Sequence, residues 1–312
     1  MILDYNLYSQ FGIYFILTLV FGYFWIKEAQ RIGIGEYSIL SRFKNNVRKH
    51  FKDKEGTATI GGVIIFISLT IFGLFNQNPI YFSIIGIGAL LFVFGAFDDV
   101  SKILRKDRVN FSIYKKVVLH LLVGAVFCLV FYFSVSKSIP YFIFNACFFV
   151  FFVNAFNVSD GLDGMAIGNF IIALILMSIG FYYYENYALL KLCVVLLGMS
   201  FAFLAFNWNP AKIFMGDAGA SMLGGILAMI AIFGKLKALM FFAGMFFVLE
   251  GASSFIQVFG KEFLRRKILP FACPIHHYFI NKGVDERKIV VLSWIFSILS
   301  GIIGLYILGI YL

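Results

Sequence analysis

The chain has 312 residues, of which 61% are hydrophobic and only 13% are charged, and its mean hydropathy is +0.92. A soluble domain of this length does not bury so large an apolar fraction, so the composition excludes a soluble globular protein. Long apolar runs separated by short charged loops predict an all-α integral membrane protein, and they are unlike the alternating pattern of a transmembrane barrel. We expect residues 1–312 to form one polytopic domain.

Ten apolar segments of about 20 residues each predict transmembrane helices, because a helix of that length crosses the hydrocarbon core of a bilayer. In chain order they cover residues 7–26, 58–75, 80–97, 116–135, 139–156, 165–184, 188–206, 218–234, 238–259 and 289–311.

The basic residues are distributed unevenly between the two predicted faces. Of the 26 lysines and arginines, 22 follow odd-numbered spans or begin the fourth span, and the others are Lys137, Lys191, Lys235 and Lys237. The positive-inside rule therefore predicts that both termini face outward and that the basic loops face the cytoplasm. The net charge of +10 then forms an inner-face stripe that suits anionic lipids and phosphorylated substrates, and nucleic acid is a poor fit.

Adjacent carboxylates end the third predicted span. Asp98 and Asp99 repel one another unless a cation lies between them, and Mg²⁺ is favoured because it takes carboxylate and phosphate oxygens. A plain solvated helix end is the alternative, but acids are disfavoured at the C-terminal end of a helix dipole. Lys102, four residues after Asp98, is a candidate ion-pair partner or substrate contact.

The segment 154–164, Asn-Ala-Phe-Asn-Val-Ser-Asp-Gly-Leu-Asp-Gly, joins the fifth and sixth spans. A carboxylate at the bilayer centre costs about 2.5–3.5 kcal/mol, so we expect Asp160 and Asp163 at the membrane edge with a cation. Gly161 and Gly164 permit a sharp turn and a close approach of the backbone to a ligand. The alternative is a helix–loop–helix connection with capping Asn and Asp residues.

Three further segments belong to the same predicted face. Residues 54–62 begin the second span, where free N–H groups suit an anion, although a Thr cap and packing glycines explain them equally well. Asp217 begins the eighth span and is either a site residue or a simple helix cap. Phe214 either belongs to the hydrophobic core or stacks against a nucleotide base. His276 and His277 are candidates for hydrogen bonding to phosphates or for acid–base work near neutral pH, or form a surface pair.

Glu250 differs from these groups because it lies well inside the ninth apolar segment and requires a partner or a polar cavity. The other ionisable groups are nearly all at one face. That distribution favours surface chemistry over a transporter or channel, whose ionisable residues lie near the midplane.

Taken together, these segments resemble the polyprenyl-phosphate N-acetylhexosamine-1-phosphate transferases. The shared features are the aspartates 98 and 99, Asn-x-x-Asn-x-x-Asp-Gly-Leu-Asp-Gly, Pro-Ala-Lys-Ile-Phe-Met-Gly-Asp at 210–217 and Pro-Ile-His-His at 274–277. Two features favour the muramoyl-pentapeptide branch over the N-acetylglucosamine branch: Lys-x-Gly-Thr-x-Thr-x-Gly-Gly at 54–62, and the Pro-Ile-His-His form followed by Lys282-Gly283.

The resemblance implies about ten transmembrane helices with a cytoplasmic active-site cleft, a broken ninth helix and a homodimer. It implies Mg²⁺-dependent transfer of phospho-N-acetylmuramoyl-pentapeptide from a UDP carrier to undecaprenyl phosphate in the bacterial inner membrane. The products are lipid I, for peptidoglycan synthesis, and UMP. The alternative is a UDP-N-acetylhexosamine transferase that primes another surface polymer.

The resemblance also implies roles for particular residues, with Asp217 as the metal ligand. Catalytic roles are expected for Asp98, Asp99, Asp217, His276 and His277. Substrate-binding roles are expected for Lys54, Thr59, Lys102, Asn157, Asp160, Gly161, Leu162, Asp163, Asn207, Phe214 and Gln257. The chain departs from the family pattern at Ala58, where proline is usual, and at Tyr278 and Ile280, where His and Glu are usual.

Overall fold

The fold is that of a computed structural model, which describes residues 2–35, 54, 57–104, 113–134 and 138–310. Helices account for most of these residues. Their bounds are α1 Ile2–Arg31, α2 Gly62–Phe75, α3 Pro79–Leu104, α4 Ile113–Ser134, α5 Ile139–Ser159, α6 Met165–Tyr183, α7 Tyr187–Asn207, α8 Gly216–Phe233, α9 Lys237–Ala243, α10 Met245–Phe263, α11 Ile275–Asn281 and α12 Glu286–Ile307. The chain is an all-α integral membrane protein, as its composition predicts.

Seven of the described helices are long and apolar enough to cross a bilayer, and the pair α9 and α10 adds an eighth candidate. This pair corresponds to the ninth predicted span and is bent by 80° at Gly244, in agreement with the expected break. The predicted spans 58–75 and 116–135 correspond to shorter apolar helices, Gly62–Phe75 and Lys116–Phe127. Ten crossings, and the organisation of 1–312 as one domain, stay predictions.

Helix α8 lies at the centre of the bundle. Its residues from Ala218 to Ile232 are all buried, and it packs most extensively against α3 and α5. A helix that is apolar on every side is expected to be surrounded by other helices, so its sequence explains its place. The ends of the surrounding helices therefore meet at the first turn of α8.

Glycines allow α2 and α3 to approach the first turn of α8 closely. A Cβ atom at Gly95 would lie 2.5 Å from the Cα of Ala218, and one at Gly62 would lie 2.2 Å from the Cα of Gly219. Backbone atoms cannot move aside as a flexible side chain can, and small residues are what permit such crossings between membrane helices. The contact at Gly95 places the last turns of α3 directly against the start of α8.

A buried polar clamp joins α6 to α12. The side-chain amide of Asn169 donates to the hydroxyl of Ser293 at 2.9 Å, and the hydroxyl of Ser297 donates to the Asn169 carbonyl oxygen at 2.6 Å. All three side chains are buried. Hydrogen bonds of this kind hold membrane helices together where the lipid offers no competing partner.

Replacing Asn169 with leucine is expected to destabilise the fold, because both serine hydroxyls lose their interhelical partner. We expect a loss of about 1–2 kcal/mol in the free energy of unfolding, measured by detergent titration in mixed micelles. Thr70→Val is the matched control, since the Thr70 hydroxyl donates to the carbonyl of Phe66 within its own helix. Equal losses from the two variants would contradict the clamp.

Candidate active site

A short ladder of backbone hydrogen bonds joins the loop before α2 to the loop before α8. The N–H of Phe214 donates to the carbonyl of Ala58 at 2.7 Å, and the N–H of Gly61 donates to the carbonyl of Phe214 at 2.8 Å. A third bond runs from the N–H of Gly62 to the carbonyl of Met215 at 3.0 Å. Two of the sequence motifs thus belong to one local structure, which also contains the buried Thr59.

Three carboxylates meet where the end of α3 touches the start of α8. One carboxylate oxygen from each of Asp98, Asp99 and Asp217 lies within 4.8 Å of the others. Asp99 accepts hydrogen bonds from the backbone N–H groups of Asp217, at 3.2 Å, and Ala218, at 3.0 Å. These N–H groups belong to the first turn of α8, so Asp99 caps that helix and fixes the trio's position.

Two lysines supply the counter-charge of this acid trio. The ammonium of Lys102 lies 2.9 Å from Asp98 and 3.4 Å from Asp99, and it also contacts Asp217. The ammonium of Lys116 lies 2.8 Å from Asp98 and 2.5 Å from Asp217. Partly buried carboxylates require such partners, because an uncompensated charge in a low-dielectric region is costly. With every group ionised, the cluster keeps one net negative charge.

The acid trio has the chemistry of a divalent metal site. Carboxylate oxygens are the ligands that Mg²⁺ prefers, usually in combination with substrate phosphates and water. The side chain of Asp217 is the most accessible of the three, at 18% exposed against 3% for Asp98 and 7% for Asp99. Asp217 is therefore the carboxylate of the trio that is most open to an incoming cation, and its role as a metal ligand stays a prediction.

A second charged cluster, the Lys54 latch, consists of Lys54, Asp163, Asn209 and Glu286. The ammonium of Lys54 lies 2.6 Å from Asp163 and 2.6 Å from Glu286. Asn209 donates to both carboxylates, at 3.0 and 3.1 Å, and Glu286 also accepts from the backbone N–H of Asp163 at 2.8 Å. The latch therefore ties the segment before α2 to three other connections, and two expected substrate residues have protein partners here.

The histidine pair lies on the short helix α11, next to the segment that follows α5. His276 is buried, and its ring lies 4.4 Å from that of the half-buried His277, measured between centroids. A Cβ atom at Gly161 would lie 2.5 Å from Nε2 of His276, so only glycine fits there without a shift. Burial, followed by the influence of His276, lowers the pKa of His277 from 6.5 to about 4.

The remaining expected substrate residues are placed in different ways. Asn157 donates to the hydroxyl of Ser221 at 3.2 Å, one turn beyond Asp217 on α8. Asn207 accepts from the N–H of Gly164 at 3.1 Å and donates to a backbone carbonyl at 2.8 Å. Gln257 accepts from a backbone N–H at 3.1 Å.

The other expected substrate residues differ in exposure. Leu162 is buried, whereas Asp160 and Phe214 are half-buried and closer to solvent.

Several residues of these clusters were not among the expected site residues. One sequence feature could have indicated Lys116 as a site residue, because it begins an apolar helix directly after a basic loop. Asn209 lies directly before the motif at 210–217, whereas Glu286 had no such indication because it begins α12, far from the motifs in sequence. His120 on α4 is buried, with its Nδ1 3.1 Å from the side-chain oxygen of Asn154, and it lies one turn beyond Lys116.

Comparison with known proteins identifies both a family model and full-length relatives. Residues 81–235 match the model of glycosyl transferase family 4. A protein of Staphylococcus haemolyticus is 34% identical, covering 83% of this chain and 87% of its own. Proteins of Staphylococcus carnosus and Dictyoglomus turgidum are 30% and 32% identical and cover 94% and 96% of this chain, and 96% and 97% of their own. All three are named phospho-N-acetylmuramoyl-pentapeptide-transferase.

The Lys54 latch generates a stability prediction. Lys54→Met leaves two buried carboxylates beside each other without their cation, and the expected loss is about 3–5 kcal/mol in the free energy of unfolding. The double variant with Glu286→Gln should recover part of that loss, because one of the two charges is removed. Lys212→Met, at an exposed lysine, is the control. Unfolding of Lys54→Met at the wild-type temperature would refute the latch.

The pKa of His277 generates a pH prediction. At pH 7 the residue is neutral in both folded and unfolded chains, so it contributes nothing there. As the pH falls from 6.5 towards 4, the unfolded chain binds a proton that the folded chain does not, and stability is lost. His277→Gln should therefore lose less thermal stability than the wild type between pH 7 and pH 5. An equal decrease in unfolding temperature from pH 7 to pH 5 in both proteins would show that the pKa of His277 is not lowered.

Proposed function

Since the chain belongs to the phospho-N-acetylmuramoyl-pentapeptide-transferase family, we propose that it transfers phospho-N-acetylmuramoyl-pentapeptide from UDP to undecaprenyl phosphate. The membership makes the chain an enzyme of membrane glycosyl-1-phosphate transfer. The proposed products are lipid I and UMP. The apolar helices agree with this reaction, because the proposed acceptor is itself a membrane lipid.

The observation that supports the proposal most strongly is the acid trio with its two lysines. A transferase that acts on a diphosphate needs positive charge near the phosphoryl oxygens and carboxylates that orient a cation. Asp98, Asp99 and Asp217 provide the oxygens, while Lys102 and Lys116 provide charges that can move from carboxylate to phosphate. These groups come from three helices that meet at one point.

In the proposed reaction, an oxygen of the lipid phosphate attacks the β-phosphorus of the nucleotide sugar. The new P–O bond forms as the bond between the β-phosphorus and the bridging oxygen breaks, and UMP leaves. The lipid phosphate is already largely ionised at neutral pH, so Asp98 is proposed mainly to position it. A divalent cation at Asp217 would supply charge that stabilises the diphosphate.

Other residues are proposed to bind the nucleotide sugar. His276 and His277 are assigned to the diphosphate, with Lys102 and Lys116 neutralising its charge beside the acid trio. The expected substrate residues on the connections, Lys54 and Thr59 before α2 and those from Asn157 to Asp163, surround the remaining parts of the ligand. Phe214 is half-buried and offers its ring for stacking.

The proposal also includes a location and an assembly. The multi-pass chain is assigned to the bacterial inner membrane, with the acid trio at the cytoplasmic face, where the basic loops are predicted by the positive-inside rule. Undecaprenyl phosphate would enter laterally from the inner leaflet, among membrane lipids. A homodimer is part of the same proposal.

The test is a transferase assay on purified protein with undecaprenyl phosphate, Mg²⁺ and either UDP-N-acetylmuramoyl-pentapeptide or UDP-N-acetylglucosamine. We expect UMP release and a lipid product with the mass of lipid I only with the first donor. A lipid product only with the second donor would replace the proposed substrate by the alternative hexosamine, and no transfer with either would reject the proposed function.

Asp217→Asn is expected to reduce UMP release by about 100-fold or more, because the most accessible carboxylate of the trio is lost. Glu28→Gln is the matched control, since Glu28 is an exposed carboxylate paired with Arg31. Both variants must elute and unfold like the wild type before rates are compared. Wild-type Mg²⁺-dependent release by folded Asp217→Asn would remove Asp217 from the metal site.

A further inference from the structure

Glu250 has its partner in the histidine pair. It lies on α10, one to two turns after the bend at Gly244, and is 1% exposed. Its Oε1 accepts from the backbone N–H of His276 at 3.0 Å, and its Oε2 lies 3.0 Å from the ring Nδ1 of the same residue. A carboxylate inside a membrane helix needs such a partner, so the position of Glu250 is explained by His276.

The other ring nitrogen of His276 is left without a partner. Nε2 is buried and makes no hydrogen bond to any residue that the structure describes. It points at the position that a Cβ atom would occupy on Gly161, within the segment 154–164 that was expected to bind substrate. Buried polar atoms without partners are rare in native proteins and often mark functional positions.

We propose that Glu250 is a positioning residue that acts through His276. It holds the proton on Nδ1 and fixes the ring, so that Nε2 is the nitrogen presented to a phosphoryl oxygen of the nucleotide sugar. This inference rests on the proposed function, because His276 is assigned there to the diphosphate. It adds a residue that neither the sequence motifs nor the family pattern named.

The carboxylate of Glu250 determines which ring nitrogen of His276 carries a proton. An ionised carboxylate only accepts hydrogen bonds, so a ring nitrogen at 3.0 Å from it must carry the proton. Nε2 then remains the ring nitrogen that faces the substrate, where a proton taken up from solvent on substrate binding would join it to a phosphate oxygen.

The neighbouring ring supports this division of roles. His277 is half-buried beside His276, and its pKa is lowered to about 4, partly through His276. At neutral pH His277 is therefore the uncharged member of the pair. Cys273 is a third titratable group near Glu250, and burial followed by the Glu250 charge raises the pKa of its thiol. It is thus neutral as well, which leaves Glu250 as the group that holds the Nδ1 proton of His276.

The amide variant Glu250→Gln separates positioning from simple packing. Glutamine keeps the size of the side chain, and its carbonyl can still accept from the backbone N–H of His276. Its amide group, however, donates to Nδ1, which reverses the favoured tautomer and puts the proton on Nε2. A purely structural partner would tolerate this exchange, whereas a positioning residue would not.

The first arm of the test is nuclear magnetic resonance of ¹⁵N-histidine in nanodiscs. The chain has only four histidines, so the His276 signals are assigned by comparison with His276→Gln and His277→Gln spectra. We expect a protonated Nδ1 in the wild type and an unprotonated Nδ1 in Glu250→Gln. Glu262→Gln, an exposed carboxylate on the same helix, should match the wild type.

The second arm is kinetic. Glu250→Gln is expected to lower kcat by about 100-fold with little change in KM and with an unfolding temperature close to that of the wild type. Glu250→Asp keeps the charge, so it should retain the protonated Nδ1 and part of the lost rate, and it replaces the amide variant if that one does not fold. A wild-type His276 without a proton on Nδ1, or a wild-type kcat in Glu250→Gln, overturns the proposal.

These outcomes are distinguishable from failure of the proposed function. If wild-type protein transfers neither sugar phosphate, the proposed function fails, and the resonance arm still reports whether Glu250 fixes the His276 tautomer. If the wild type is active and the Glu250→Gln spectrum and kcat are both unchanged, the proposed function stands and the positioning role is wrong.

Discussion

The central constraint of this structure is that three carboxylates lie together at the edge of an apolar helix bundle. Asp98, Asp99 and Asp217 are tolerated there because Lys102 and Lys116 contact them directly and because Asp99 caps α8. Such an arrangement is costly if any partner is removed, since the remaining charges lose their compensation in a low-dielectric region. The positions of α3, α4 and α8 are therefore coupled to the electrostatics of this one cluster.

Small residues allow the helices to approach closely enough to bring these carboxylates together. Gly95 lets α3 touch the first turn of α8, and the carboxylates follow within one turn of that contact. The Lys54 latch and the Glu250–His276 pair apply the same physical rule at two other places. In each, a buried carboxylate is held by a cation or an imidazole from another part of the chain. The acid trio and the Lys54 latch lie at or next to connections between helices, whereas Glu250 lies inside α10 and reaches His276 on the short helix α11.

The helices and the motif-bearing loops were predictable from the sequence, because apolar run length and charge distribution are local properties. Asp98 and Asp99 were predictable as a cation site, since adjacent carboxylates at a helix end require a cation. Asp217 joined them only through the family resemblance, because a simple helix cap explained it equally well from the sequence. The partners of Glu250 and Asp163 were not predictable, because His276 and Glu286 are distant in sequence and only packing brings them close. The break at Gly244 followed from the family resemblance and not from the apolar pattern, which runs through it without interruption.

The position of a bound divalent ion tests most directly whether the acid trio is a metal site. Anomalous diffraction from crystals grown with Mn²⁺, which takes the same oxygen ligands as Mg²⁺, locates the ion independently of catalysis. We expect one ion bound to the carboxylate of Asp217, with at least one of Lys102 and Lys116 displaced from it. An ion bound elsewhere, or an acid trio that keeps both lysines and binds no Mn²⁺, would contradict the account.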